Sequence, residues 1–281
     1  MRRICTGALL ALAVCCEAAV PALAQEKEPL VKGLQDNSFL IEEAYNQERG
    51  VVQHIVNGLW ERRSKDWILV LTQEWPVPDE THQLSFTVPL RFAGEPDASS
   101  GVADVLLNYR WQAMRERDDR PALAPRLSLV LPTGSSRDEL GTGSAGVEMA
   151  LPASKQLGAH FAAHLNAIAR IVPHALVPGG SELLTSAGGG GSVIWEPFDA
   201  VNVLCELVAV HQEDIEGGRR VTGTPVVLDP GVRLGWDGPG GVQWVWGIGF
   251  PIGLTSDADD FGVFLYFSAE HAFTKQAQAS R

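Results

Sequence analysis

The sequence predicts an all-β protein, a closed antiparallel transmembrane β-barrel of about twelve strands. Three observations predict it. Apolar and polar residues alternate with period two over most of the chain, the alternating segments run to about ten residues, and an export leader precedes them. Successive side chains of a strand point to opposite faces, so period two gives one apolar and one polar face. Strands of soluble domains usually run about five or six residues, whereas a tilted strand needs about nine to eleven to cross a bilayer.

The leader comes first in the chain. Arg2 and Arg3 form a basic start, and Ile4 to Cys16 carry neither charge nor Pro. Pro21-Ala22-Leu23-Ala24 then leads into the polar run Gln25-Glu26-Lys27-Glu28. A basic start, a short apolar core and an A-x-A ending mark a secretory signal peptide. The core is too short to cross a bilayer as a helix. Cleavage is expected after Ala24, which makes 1–24 a signal peptide. Val14 and Cys15 precede Cys15 and Cys16 where a lipoprotein signal wants a small residue, which argues against a lipid anchor. Cys5, Cys15 and Cys16 leave with the leader, so Cys205 stands alone, with no disulfide and no cysteine-rich metal site. The full chain has a net charge of −12, and losing Arg2, Arg3 and Glu17 takes it to −13. Nucleic-acid partners want a basic surface, so none is expected.

Segment 25–49 differs in composition from the rest of the chain and is expected to be a periplasmic arm or plug that tucks into the barrel mouth. The barrel is expected over 50–273, with a tail at 274–281. Leu84, Phe86, Val88, Leu90 and Phe92 alternate with Gln83, Ser85, Thr87, Pro89 and Arg91. The same rhythm places strands near 50–60, 67–76, 82–92, 102–113, 122–132, 143–152, 156–170, 189–197, 200–211, 221–236, 242–253 and 261–273. Short lower turns are expected at 153–155, 197–199 and 237–241, with a longer one at 114–121. Longer upper loops are expected at 172–188, 211–220 and 254–260. Short periplasmic turns and longer external loops are the habit of outer-membrane barrels. Trp75, Trp111, Trp195, Trp236 and Trp244 all fall near lower strand ends, as a membrane-interface girdle requires.

The polar face supplies candidate lumen-lining residues: Glu74, Arg91, Asp104, Arg110, Arg126, Glu148, His160, His164, Arg170, Glu206 and Arg233, with Glu270 on the last strand. Two roles stand open for them, lining a pore and filling it with ion pairs. His160 and His164 share a face, but positions i and i+4 of a strand lie about 13 Å apart, too far to share one metal ion. Gly188 to Gly191 and Gly238 to Gly241 lack the Lys-Ser/Thr of a phosphate loop and read as turns or close strand approaches. There is no G-x-S-x-G elbow, and no Ser lies two residues beyond His54, so a barrel phospholipase finds little support. No catalytic residue, metal site or cofactor is expected.

Asp36-Asn37-Ser38-Phe39-Leu40-Ile41-Glu42-Glu43-Ala44-Tyr45-Asn46-Gln47-Glu48, with Gly50-Val51-Val52-Gln53-His54-Ile55 after it, resembles the opening of a bacterial outer-membrane barrel family. Its members are labelled phenol-degradation meta-pathway or transporter-like proteins. Gly101 to Arg110 and Pro125 to Gly134 resemble the same family. The resemblance implies a Gram-negative outer membrane, lipid around the barrel, insertion by the barrel-assembly machinery, and passive uptake of small compounds, aromatic or hydrophobic ones among them. The strand ending in Phe273 resembles the terminal insertion signal, although eight residues follow it here. The alternatives are a non-conducting structural barrel and a soluble secreted β protein.

Overall fold

The computed structural model describes residues 38–94, 99–239 and 241–273. The signal peptide, residues 25–37 of the arm and the tail 274–281 lie outside them.

The strands in chain order are β1 (Val51–Glu61), β2 (Trp67–Pro76), β3 (His82–Phe92), β4 (Ser100–Val102), β5 (Val105–Trp111), β6 (Ala122–Leu123), β7 (Arg126–Leu131), β8 (Gly146–Gln156), β9 (Phe161–Val177), β10 (Gly180–Phe198), β11 (Val201–Glu216), β12 (Arg219–Gly223), β13 (Val226–Asp237), β14 (Gln243–Gly249), β15 (Ile252–Gly253) and β16 (Gly262–Ala272). All their pairings are antiparallel, in a single sheet. β1 pairs with β16 from Val51↔Ala272 to Glu61↔Gly262, which closes the sheet on itself. Lipid offers no partner for an open edge, so closure satisfies the backbone of the first and last strands together.

β4 and β5, β6 and β7, β12 and β13, and β14 and β15 are successive pieces of four broken staves, so the sixteen segments make twelve staves. Three of the four breaks contain Pro125, Pro225 or Pro251. Proline has no N–H to give to a ladder, so pairing stops there.

The wall is polar inside and apolar outside. Gln53, Gln83, Ser128, Asn202, Glu206 and Ser268 are buried on the inner face. Leu107, Leu127, Leu151, Leu165, Val193 and Leu207 stand exposed between them on the outer face. A water-soluble protein with this outer surface would expose an apolar band around its whole girth, which marks a lipid-facing wall.

Two expected loops are strands instead. β9 has 17 residues, β10 has 19 and β11 has 16. The stretches read as loops, 172–188 and 211–220, are the upper halves of the β9–β10 and β11–β12 hairpins. Tilted strands of this length rise about 40 Å, above an apolar band of about 25 Å. Their tips stand in water, carry Glu182, Glu213 and Arg220, and need no apolar alternation. Inside this extension Val172, Ala175 and Leu184 pack with Ile215. The lower turns shift too: 153–155 belongs to β8, and Pro197 and Phe198 belong to β10. Gly188 to Gly191 lie inside β10, where a Cβ on Gly189 would sit 2.2 Å from the Asn166 carbonyl. They are a close strand approach, while Gly238 lies just past β13 and donates its N–H to the Val242 carbonyl at 2.7 Å, ahead of β14.

The extent of the lipid band can be tested by charge. Leu165 is 64% exposed on the outer wall and Leu183 is 48% exposed near the β10 tip. Leu165→Arg is expected to destabilise the refolded barrel in lipid vesicles by about 2–4 kcal/mol. Leu183→Arg should cost under about 1 kcal/mol, because its position lies above the hydrocarbon. Equal costs in denaturant titrations would show that the band does not end between them.

Candidate functional site

The candidate site is the lumen, and the chain's own residues 38–49 cross it. They have no strand ladder, so their backbone amides need partners from the wall. Inward side chains provide these. The Glu206 carboxylate accepts from the N–H groups of Phe39, Leu40 and Ile41, each at 3.0 Å. Asn166 accepts from the Glu42 N–H at 2.8 Å and donates to the Glu42 carbonyl at 2.7 Å. Ser154 Oγ accepts from the Ala44 N–H at 2.7 Å, so its hydroxyl proton is free to go to His164 Nδ1, also at 2.7 Å. Gln112 brackets the chain, donating to the Ala44 carbonyl and accepting from the Asn46 N–H. Gln83 Oε1 accepts from the Gln47 N–H at 2.8 Å.

Charged groups add to this. Arg126 pairs with Glu42 at 2.6 Å and with Glu148 at 3.0 Å. Arg170 reaches the other side of Glu148 at 3.6 Å. Arg110 donates to the carbonyls of Glu43 and Tyr45 and lies 3.9 Å from Glu74. Tyr45 donates its hydroxyl to Glu116. Burial pushes the Glu42 carboxyl up, but the charge and hydrogen bonds of Arg126, with Arg110 beyond, hold it below the usual carboxylate range.

The remaining wall receives a ring. Phe39 stacks on Phe264 at 5.2 Å and lies 6.0 Å from Tyr266. Its ring covers Gly231, Gly247 and Gly249, where an added Cβ would meet it at 2.3, 2.5 and 2.8 Å. Any side chain at these positions would evict the ring. The segment therefore touches the wall from β16, β14 and β13 through β11, β10, β9, β8, β7, β5 and β3 to β1, eleven of the twelve staves.

Of the residues read from sequence as lumen-lining, Glu74, Arg110, Arg126, Glu148, His164, Arg170, Glu206 and Arg233 face inward. Three do other work. Arg91 is half-exposed at the upper rim, paired with Asp66 at 2.8 Å. Asp104 braces the β7–β8 loop, accepting from the Gly134 N–H and from the Thr142 N–H and hydroxyl. His160 sits exposed at the foot of β9, 3.0 Å from the Glu196 carbonyl. All five candidate girdle residues lie on the outer face at lower strand ends. Trp111, Trp195 and Trp236 are exposed, while Trp75 and Trp244 lean on Phe86 and Phe267. The uncharged partners Gln83, Gln112, Ser154 and Asn166 escape a reading that sorts the inner face by charge. Their signal is an amide or hydroxyl at an inward position of the alternation.

Glu206→Gln replaces a three-fold acceptor with a group that also donates. It is expected to weaken docking of residues 39–41 by about 1.5–3 kcal/mol. Amide hydrogen exchange should then speed up at Phe39, Leu40 and Ile41 by about tenfold or more. Asp104→Asn should leave these three amides protected and loosen residues 134–142 instead.

No protein-family model and no curated protein matches the chain. Solved structures do. An outer membrane channel from Pseudomonas putida superposes with a TM-score of 0.64 at 13% identity, covering 85% of this chain and 100% of that one. The NanC porin superposes with a TM-score of 0.52 at 8% identity, covering 77% of this chain and 98% of that one. At these identities the likeness is one of fold: the chain shares the barrel architecture of bacterial outer-membrane channels and porins.

Proposed function

We propose that this chain is an outer-membrane channel held shut by residues 38–49, and that it passes small compounds, aromatic or hydrophobic ones among them, when that segment yields. The observation that carries this reading is the seat of Phe39. Its ring lies between Phe264 and Tyr266 and the glycine floor of Gly231, Gly247 and Gly249, with Ile194, Leu204 and Val245 in the same cluster. Withdrawing that ring leaves a flat, apolar slot inside an otherwise polar lumen. A slot that fits a phenyl ring fits a planar aromatic solute by the same dispersion and burial terms. The channel architecture of the two similar structures supports the broader part of the reading. The apolar wall is taken to face outer-membrane lipid, and β16 to be the segment offered to the barrel-insertion machinery.

The circuit of contacts around the segment favours a second reading, a permanently filled barrel with a structural role. Single-channel recording separates the two. The mature chain in a planar bilayer is expected to show small, infrequent openings, and removal of residues 25–49 should raise conductance several-fold. Vesicles carrying the shortened chain should then admit benzoate faster than a sugar of similar size. Equal conductance with and without the segment would sink the gating reading, and equal permeation of the two solutes would sink the aromatic one.

A further inference from the structure

The outer wall holds a second cluster, unrelated to the lumen, at the seam where the barrel closes. His54 of β1 and His271 of β16 both point outward. The register sets Val52 opposite His271 and Ala269 opposite His54, so the two imidazoles are diagonal neighbours across the seam. Their rings lie 5.3 Å apart, tilted by 22°, and the two Nε2 atoms are 3.2 Å apart. Both side chains are half-buried. The pair sits near the lower aromatic girdle, since Trp244 stands opposite Ala269 on the neighbouring β14. One side of the site there meets lipid and the other meets interfacial water.

We propose that His54 and His271 form a two-imidazole site for a divalent transition-metal ion, Zn2+ or Cu2+, that clips the first strand to the last. Tetrahedral zinc takes imidazole nitrogen at about 2.0–2.1 Å, which sets two such ligands about 3.3–3.4 Å apart. The two Nε2 atoms already stand within about 0.2 Å of that spacing, with the ring nitrogens nearest one another. Without metal, one Nε2–H donates to the other Nε2, which requires opposite tautomers. On binding, the donor ring moves its proton from Nε2 to Nδ1, and both Nε2 lone pairs become free for the ion with no net loss of a proton. Among the described residues no cluster of three or more His, Cys, Asp or Glu gathers, so water completes the coordination. Imidazole suits zinc and copper, and copper binds more tightly by the general order of divalent ions.

The pair joins residues 217 positions apart in the chain. A bond across so long a loop removes much freedom from the unfolded chain. It acts at the pairing of the first strand with the last, which closes the sheet.

The test uses the refolded mature chain in detergent micelles, with CuCl2 or ZnCl2 as the probe. Electron paramagnetic resonance is expected to show one Cu2+ per chain with coupling to two imidazole nitrogens. Zn2+ should raise the temperature at which the folded band converts to the unfolded band on a gel. His54→Asn and His271→Asn should each weaken Cu2+ binding by more than about tenfold, since even changes to groups behind a ligand cost that much. Both should remove the Zn2+ shift while keeping the metal-free gel shift of a folded barrel. His160→Asn, an exposed imidazole elsewhere, should change nothing. Copper held through one nitrogen, or binding and Zn2+ shift unchanged in either seam variant, would overturn the proposal.

Discussion

Pairing backbone amides where bulk water is absent governs both parts of this molecule. In the wall the requirement is met by the ladder and by closure of β1 on β16. In the lumen it is harder to meet, because residues 38–49 are irregular and run across the strands rather than along them. Each exposed N–H or carbonyl there would cost about 1–3 kcal/mol if left alone. The inner wall answers with acceptors and donors at the right heights: Glu206, Asn166, Ser154, Gln112 and Gln83. The polarity of the inner face follows from this. It is polar because a chain lies against it, as much as because water does.

The two halves of the interior hold the segment by different means. From β3 to β11 the wall grips backbone through side-chain hydrogen bonds and the Arg126–Glu42 pair. From β13 to β16 it grips a single ring over glycines. Neither grip alone is strong. A net hydrogen bond contributes about 1 kcal/mol, and burying a phenyl ring about 2–3 kcal/mol. The buried ion pairs add less than their distances suggest, since desolvation offsets attraction. A segment held by many modest contacts is firmly seated as a whole, yet each contact is within reach of a competitor of similar chemistry.

The strands were legible because lipid outside and polar contacts inside enforce period two wherever the wall crosses the membrane. Leu84 to Phe92 against Gln83 to Arg91 is such a case, and β3 matches that reading. Legibility failed where the enforcement stops. Above the bilayer β9 to β11 continue as strands, but both faces meet water or the small cluster around Val172, so Glu182, Glu213 and Arg220 break the alternation and the segments read as loops. Arg91 and Asp104 obey the inward parity yet sit where the strands leave the membrane, and parity alone carries no height. The glycines under Phe39 look like strand-weakening residues until the ring that needs them is in place.

The way the segment joins the wall decides what its movement can do. The chain leaves the lumen at Glu48, whose carbonyl accepts from the Val51 N–H at 3.1 Å, and turns at Gly50 with φ of 77°. Glycine takes that left-handed conformation without strain, so the turn is a natural pivot. The Gly50 carbonyl accepts from the Phe273 N–H at 2.8 Å, which fixes the pivot to the end of the last strand. β1 begins at Val51, immediately beyond it, and is fully paired on both sides from Gln53 onward. In the proposed gating, residues 38–49 swing about Gly50, and no ladder bond of β1 has to leave the barrel for that. Under that proposal, opening the lumen and keeping the wall closed are mechanically separate, and the separation lies at Gly50.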